Sequence, residues 1–313
     1  MALADARAAD GGPAPALPAG PPYAAAQLGP WAGFAFDLPP SDPRLRALHD
    51  GGPAPTPPLD NLVGVARAWQ DHPEWLDFLD PAAPNHADKV IERGLYLHHW
   101  RPWLPRPGAR VLDLGAGTGR FTAWLLDRGC EVEAAVPDLR SLWRLVQHAA
   151  GRTGALDVHW TTAECLPALA PVEAVVATEV LCYVEDPHRA LDAVRRVLQP
   201  GGVLLGSVEA RTGWVSALDV APGTLDAWLD DGVVHVPGDR WIRTYDEASL
   251  RDLFAGWTLE ALVPTHYAAS GPFEAAAGPL TLSELLAVED RLRKHPIAHP
   301  WHRAWLFAAR ANG

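Results

Sequence analysis

The sequence predicts an α/β protein built on an open, mostly parallel sheet with helices on both faces, and three observations carry that prediction. From Arg110 onward short apolar runs alternate with amphipathic helical patterns, as a parallel sheet covered on both sides requires. A glycine-rich turn, "GAGTG", joins the first apolar run to the first helix. A later helical pattern stops at Pro200-Gly201-Gly202 and gives way to another apolar run, "VLLGSVEA".

Taken in order, residues 1–59 are rich in Ala, Pro and Gly and are expected to form a partly disordered extension. They include "GGPAPTPPLDN", which reads as a stiff connector. Residues 60–104 read as a helical N-terminal cap, since Val90, Leu95, Leu97 and Trp100 recur at roughly helical spacing. Residues 105–313 form the α/β domain. In it "RVLDLGA" is a strand, "GRFTAWLLDRG" a helix, "EVEAAV" a strand, "LRSLWRLVQHAAG" a helix, and "LDVHWTTA" and "VEAVVATEVL" strands. The helix "DPHRALDAVRRVLQPGG" precedes the fifth strand, and an insertion at about 210–245 follows it. Then come the helix and strand of "SLRDLFAGWTLEALVPTHY", the helix "TLSELLAVEDRLRKH" and a terminal strand "HRAWLFAARA".

A chain of 313 residues with 48% apolar composition can bury a sizeable core. Its 26 Lys and Arg against 38 Asp and Glu leave a net charge of −12, which disfavours nucleic acid and anionic membrane as partners and favours a small-molecule substrate. Three cysteines, Cys130, Cys165 and Cys182, lack metal-ligand spacing and cannot all pair. The N-terminus shows no secretory pattern and no stretch reaches the length of a membrane span, so a cytoplasmic location is expected. Oligomeric state is not readable. Several of the 14 tryptophans, among them Trp31, Trp69, Trp75, Trp100 and Trp103, lie ahead of the sheet, as packing residues or as walls of a substrate pocket.

The glycine loop places Gly115, Gly117 and Gly119 between strand and helix, where backbone can approach a ligand and the helix start offers unpaired N–H groups. A dinucleotide fingerprint needs a glycine where Arg120 stands, so a nicotinamide or flavin cofactor is disfavoured. The more specific signal is the succession of Asp113, the glycine loop, a second strand, "TAECLP", and "VLCYVEDPHRALDAVRRVLQPGGVLL".

This succession resembles the class I S-adenosylmethionine-dependent methyltransferases, in their broad small-molecule branch, from about Arg110 to Glu209 and more loosely to Gly313. The resemblance implies a Rossmann-like sheet of seven strands with the last antiparallel, a role filled by "HRAWLFAARA". It implies S-adenosylmethionine as cofactor, leaving as S-adenosylhomocysteine. The loop Gly115, Ala116, Gly117 and Gly119 would wrap the methionine part, Asp113 would orient the loop, and Glu179 would stand at the edge of the substrate pocket.

Two positions depart from the pattern. The acid that usually ends the second strand and holds the ribose is Val136, and the acid that usually meets the adenine amino group is Thr162, with Ala163 and Glu164 retained. Past Pro137, Asp138 is the natural replacement for the ribose contact, or alternatively the N-cap of the next helix. Glu133 is disfavoured because strand alternation turns it away from Val136.

Methyl transfer to oxygen needs the acceptor held in line and a proton removed. Candidate proton acceptors are His98, His99, His266 and Tyr183, with Trp100, Tyr183, Arg243 and Tyr267 as candidate substrate contacts. Arg243, in the insertion, either grips a carboxylate or phosphate or lies on a surface strand. His295, His299 and His302 are interrupted by two prolines without a closing carboxylate, so no metal site is read there. Two further readings stay open: a methyltransferase fold doing non-methylating chemistry such as cyclisation, decarboxylation or isomerisation, and a non-catalytic binding protein.

Overall fold

The computed structural model describes residues 78–312, apart from 138, 218–222, 237–239 and 270. The extension 1–59, the first part of the cap and Asp138 therefore lie outside the described residues. Helix α1 (His86–His99) leads through a 3₁₀ turn (Arg101–Trp103) into β1 (Arg110–Leu114). There follow α2 (Arg120–Asp127), β2 (Glu131–Val136), α3 (Leu139–Ala149), β3 (Leu156–Trp160), β4 (Val172–Thr178), α4 (Pro187–Val197) and β5 (Leu198–Glu209). The insertion holds a 3₁₀ segment (Arg211–Ala217), α5 (Thr224–Asp231) and the strands β6 (Val233–Val236) and β7 (Arg240–Arg243). The chain closes with α6 (Glu247–Leu253), β8 (Trp257–Thr265), α7 (Glu274–Ala277), α8 (Leu282–Lys294) and β9 (Ala304–Ala311).

Seven strands form one sheet in the order β3-β2-β1-β4-β5-β9-β8, parallel except that β9 runs antiparallel to both β5 and β8. β6 and β7 pair as a separate antiparallel hairpin. Side chains alternate between two cores, as the period-two geometry of strands dictates. Leu112, Val175 and Leu204 face α4 and α6 through Leu191, Val194 and Leu250. Val111, Val176 and Leu205 face α1 and α2 through Tyr96, Phe121 and Leu125. The cap thus contributes to the main core: Leu95, Tyr96 and Trp100 are buried.

The α4 helix starts with Asp186 accepting from the Arg189 N–H at 3.0 Å and Pro187 in the first turn. It ends at Val197, and backbone of the Pro-Gly-Gly stretch already belongs to β5. Gly206 lets β9 press close, because a Cβ there would stand 2.3 Å from the Phe307 ring. The sheet reverses its winding at β1 and β4, which opens a crevice at their carboxyl ends. The insertion sits over that edge. Arg243 N–H donates to the Cys182 carbonyl at 2.8 Å, and the Tyr245 hydroxyl donates to the Leu181 carbonyl at 2.8 Å, tying it to the segment after β4.

Candidate active site

At the switch point the glycine loop takes the path its composition permits: Gly115, Gly117 and Gly119 have φ of 64°, 55° and 98°. The Ala116 N–H donates to the Ala135 carbonyl at 3.1 Å, fixing the loop against β2. Asp113 is buried beneath it and accepts a 2.6 Å hydrogen bond from the Thr122 hydroxyl of α2. Burial raises its pKa to about 6, against the lowering effect of the Thr122 bonds and of Arg120. Two hydroxyls, Thr118 Oγ1 in the glycine loop and Thr162 Oγ1 after β3, are buried with no protein hydrogen-bond partner among the described residues. Unpaired buried polar atoms are costly in a folded chain, so both suit a bound polar ligand.

Val136 ends β2 with its side chain buried beside the strand pairing to Trp160, and it offers an apolar wall only. Pro137 follows it at the rim, and Asp138 is outside the described residues. Ala163 and Glu164 form a 3₁₀ turn after β3. The Glu164 carboxylate accepts from the Glu185 N–H at 3.0 Å, so it braces the segment after β4. Glu133 points elsewhere, into an ion pair with Arg110 and His159.

Glu179 stands one residue beyond β4 with φ of 58°, a left-handed conformation uncommon for a side-chain-bearing residue. Its amide donates to the Ser207 carbonyl and lies 3.1 Å from the Ser207 hydroxyl, and its carboxylate accepts from the Tyr96 hydroxyl at 3.2 Å. Beside it, the Glu92 carboxylate of α1 is paired with Arg120 and Lys89. Burial works to raise the Glu92 pKa, but Arg120, His266 and Lys89 together hold it well below the usual carboxylate range. His266 follows β8 with φ of 59°, and its Nε2 is 3.3 Å from Glu92 Oε1. Both ring nitrogens are buried without a well-formed protein hydrogen bond among the described residues.

Of the sequence-read proton acceptors, His266 lies at this edge, and Tyr183, half-buried in the segment after β4, packs against the core that α4 covers. His98 is exposed and His99 half-buried, and they line a separate cavity of about 80 Å³ with Thr265, Glu289, Asp290 and Arg293. Burial first, then Arg293 and His98, lowers the His99 pKa to about 4. Two residues expected as substrate contacts are placed in packing roles. Trp100 is fully buried against Tyr96 and Phe121, and Tyr267 is buried with its hydroxyl on the His299 carbonyl at 3.3 Å. Arg243 lies in the hairpin over Trp241, with a long 3.5 Å contact to the Glu185 carbonyl. His302 has its Nδ1 3.2 Å from the His299 carbonyl, and no group of three or more metal-ligating side chains assembles among the described residues.

Sequence reasoning missed Glu92, Tyr96, Arg120, Ser207, Glu209 and Arg303. A signal existed for one: Glu209 ends the apolar run "VLLGSVE" as Glu179 follows "VVAT", an acid at the carboxyl end of a buried strand.

An open α/β sheet with a glycine loop and polar groups gathered at its carboxyl edge defines a class of folds that take ligands at the switch point. Within that class the chain belongs to the methyltransferase domain family, whose model matches residues 68–262. It is 40% identical over 119 residues to an uncharacterised methyltransferase of Mycobacterium bovis, covering 37% of this chain and 47% of that one. It is 31% identical over 166 residues to the ubiquinone biosynthesis O-methyltransferase of Xanthomonas campestris pv. campestris, covering 52% and 64%. The chain thus spans about half to two thirds of the length of these relatives. A crystal structure of a candidate S-adenosylmethionine dependent methyltransferase from Listeria monocytogenes shares its fold, with TM-score 0.50, 15% identity and coverage of 71% of this chain and 100% of the other. No helix among the described residues is long and apolar enough to cross a membrane.

Proposed function

We propose that this protein transfers a methyl group from S-adenosylmethionine to an oxygen of a small-molecule acceptor, in the cytoplasm and in a biosynthetic, specialised-metabolic setting. The observation that carries the reading is the gathering of the left-handed glycine loop, Glu179 and the buried unpaired hydroxyls of Thr118 and Thr162 at one sheet edge. These groups suit a molecule with a charged amino-acid end and a nucleoside end. Gly115 to Gly119 would take the former, Thr162 and Ala163 the adenine, and Asp138 the ribose.

When bound, the cofactor supplies an electrophilic methyl on a sulfonium, so the protein's task is to hold the acceptor in line and remove its proton. His266, with its Nε2 3.3 Å from Glu92 and its Nδ1 buried without a hydrogen-bond partner among the described residues, suits orientation of the acceptor. The insertion tied to Leu181 and Cys182 suits a cover that keeps water out. The oxygen acceptor draws support from the name of the Xanthomonas relative, and the net charge of −12 supports a small molecule over nucleic acid.

Incubation with methyl-labelled S-adenosylmethionine and fractionated cell extract tests this. Label is expected in the small-molecule fraction. Label confined to protein or nucleic acid would refute the acceptor class, and cofactor binding without any transfer would favour non-methylating chemistry on the same fold.

A further inference from the structure

We propose that Glu209 is the residue that takes the proton from the acceptor hydroxyl, a deepening that rests on the methyl-transfer reading above. Glu209 is the last residue of β5, at the carboxyl edge that also carries Glu179, His266 and the glycine loop. It is 4% exposed, and one oxygen, Oε2, has no well-formed hydrogen bond among the described residues. That oxygen lies 3.6 Å from Nε of Arg303, the residue before β9. The Arg303 guanidinium stacks over Trp214 of the insertion, whose buried indole N–H faces the Glu209 carboxylate. Carboxylate, guanidinium and indole therefore meet where the insertion covers the sheet.

The backbone holds this acid rigidly. Its N–H donates to Cys182 Sγ at 3.1 Å, and its carbonyl accepts from the Tyr245 N–H at 2.9 Å. The charged and titratable groups facing it are Arg303 just before β9, Glu179 after β4, Cys182 in the same segment and His266 after β8. Burial, and secondarily the Glu179 carboxylate, raise its pKa to about 7, while Arg303, Trp214 and His266 offset part of the rise. A proton acceptor is most effective when its pKa lies near the working pH.

The step balances without a further reactant. Glu209 as carboxylate takes the hydroxyl proton. The oxygen electron pair forms the new bond to the methyl carbon, and the carbon–sulfur pair remains on the sulfur of the S-adenosylmethionine donor. Glu209 then returns its proton to solvent.

The test compares wild type, Glu209→Gln and Glu209→Asp. Infrared titration of the unliganded protein is expected to show a carboxyl band with a midpoint near neutrality that is missing in Glu209→Gln. With S-adenosylmethionine and a panel of simple phenols and catechols, wild-type kcat is expected to rise through neutral pH. Glu209→Gln is expected to lose at least about 100-fold in kcat with cofactor KM within about threefold of wild type, and Glu209→Asp to recover part of the loss. The proposal is overturned if the carboxyl titrates near the ordinary glutamate value of about 4.3, if Glu209→Gln keeps kcat within about threefold, or if no phenol is methylated although the cofactor binds. Failure of wild type to bind S-adenosylmethionine is a separate result that refutes the underlying reading instead.

Discussion

Arg120 reaches back from the start of α2 to the Glu92 carboxylate on α1, and the pair is inside the protein. Arg120→Ala is expected to cost about 3–5 kcal/mol in urea unfolding, because it leaves a buried charge without its main partner. Glu92 is held below its ordinary pKa, so its contribution is present above the unfolded value and is lost as pH falls through the folded one. Asp113 behaves in the opposite sense. Its pKa is raised to about 6 from an unfolded 3.8, so the stability it contributes is present below about 3.8 and is lost as pH rises through about 6. Asp113→Asn should therefore stabilise the unliganded protein at pH 8 relative to wild type, on the order of 2 kcal/mol, and have little effect at pH 4. Chemical denaturation at the two pH values measures the difference.

Among the elements, the glycine loop is the least tolerant of change. A Cβ on Gly115 would stand 2.5 Å from Val180 Cγ2, and its φ of 64° is itself unfavourable for a side chain. Gly115→Ala is expected to lower stability by about 1–3 kcal/mol and to abolish cofactor binding, read by thermal melting and calorimetry. The α4 helix allows a milder test. Removing its cap with Asp186→Ala should cost about 1 kcal/mol without affecting the carboxyl edge.

For the molecule as a whole, the strands and helices of the α/β domain were legible because each announces itself locally. Val111, Leu112 and Leu114 form a short apolar run interrupted only by Asp113, the loop is written in glycines, and α4 carries its own Asp-Pro start. The acids that end or follow strands were half legible: Glu179 was found through its motif and Glu209 was passed over. The network around them was not legible, since its pairs join residues far apart in the chain. Tyr96 reaches Glu179 across 83 positions and Ser207 reaches Tyr96 across 111. Spacing arguments cannot see such contacts, because only the closed sheet brings α1 to the ends of β4 and β5. The same closure explains why Trp100 and Tyr267, plausible as pocket aromatics in the sequence, are placed in packing roles: both lie where covering elements seal against the sheet.

Calorimetric titration of the whole chain with S-adenosylmethionine and S-adenosylhomocysteine measures whether the glycine loop and its neighbours hold this cofactor. One site per chain is expected, with micromolar dissociation constants for both compounds and loss of both with Gly115→Ala. No detectable heat with either compound, together with an unchanged melting temperature in their presence, would contradict this expectation.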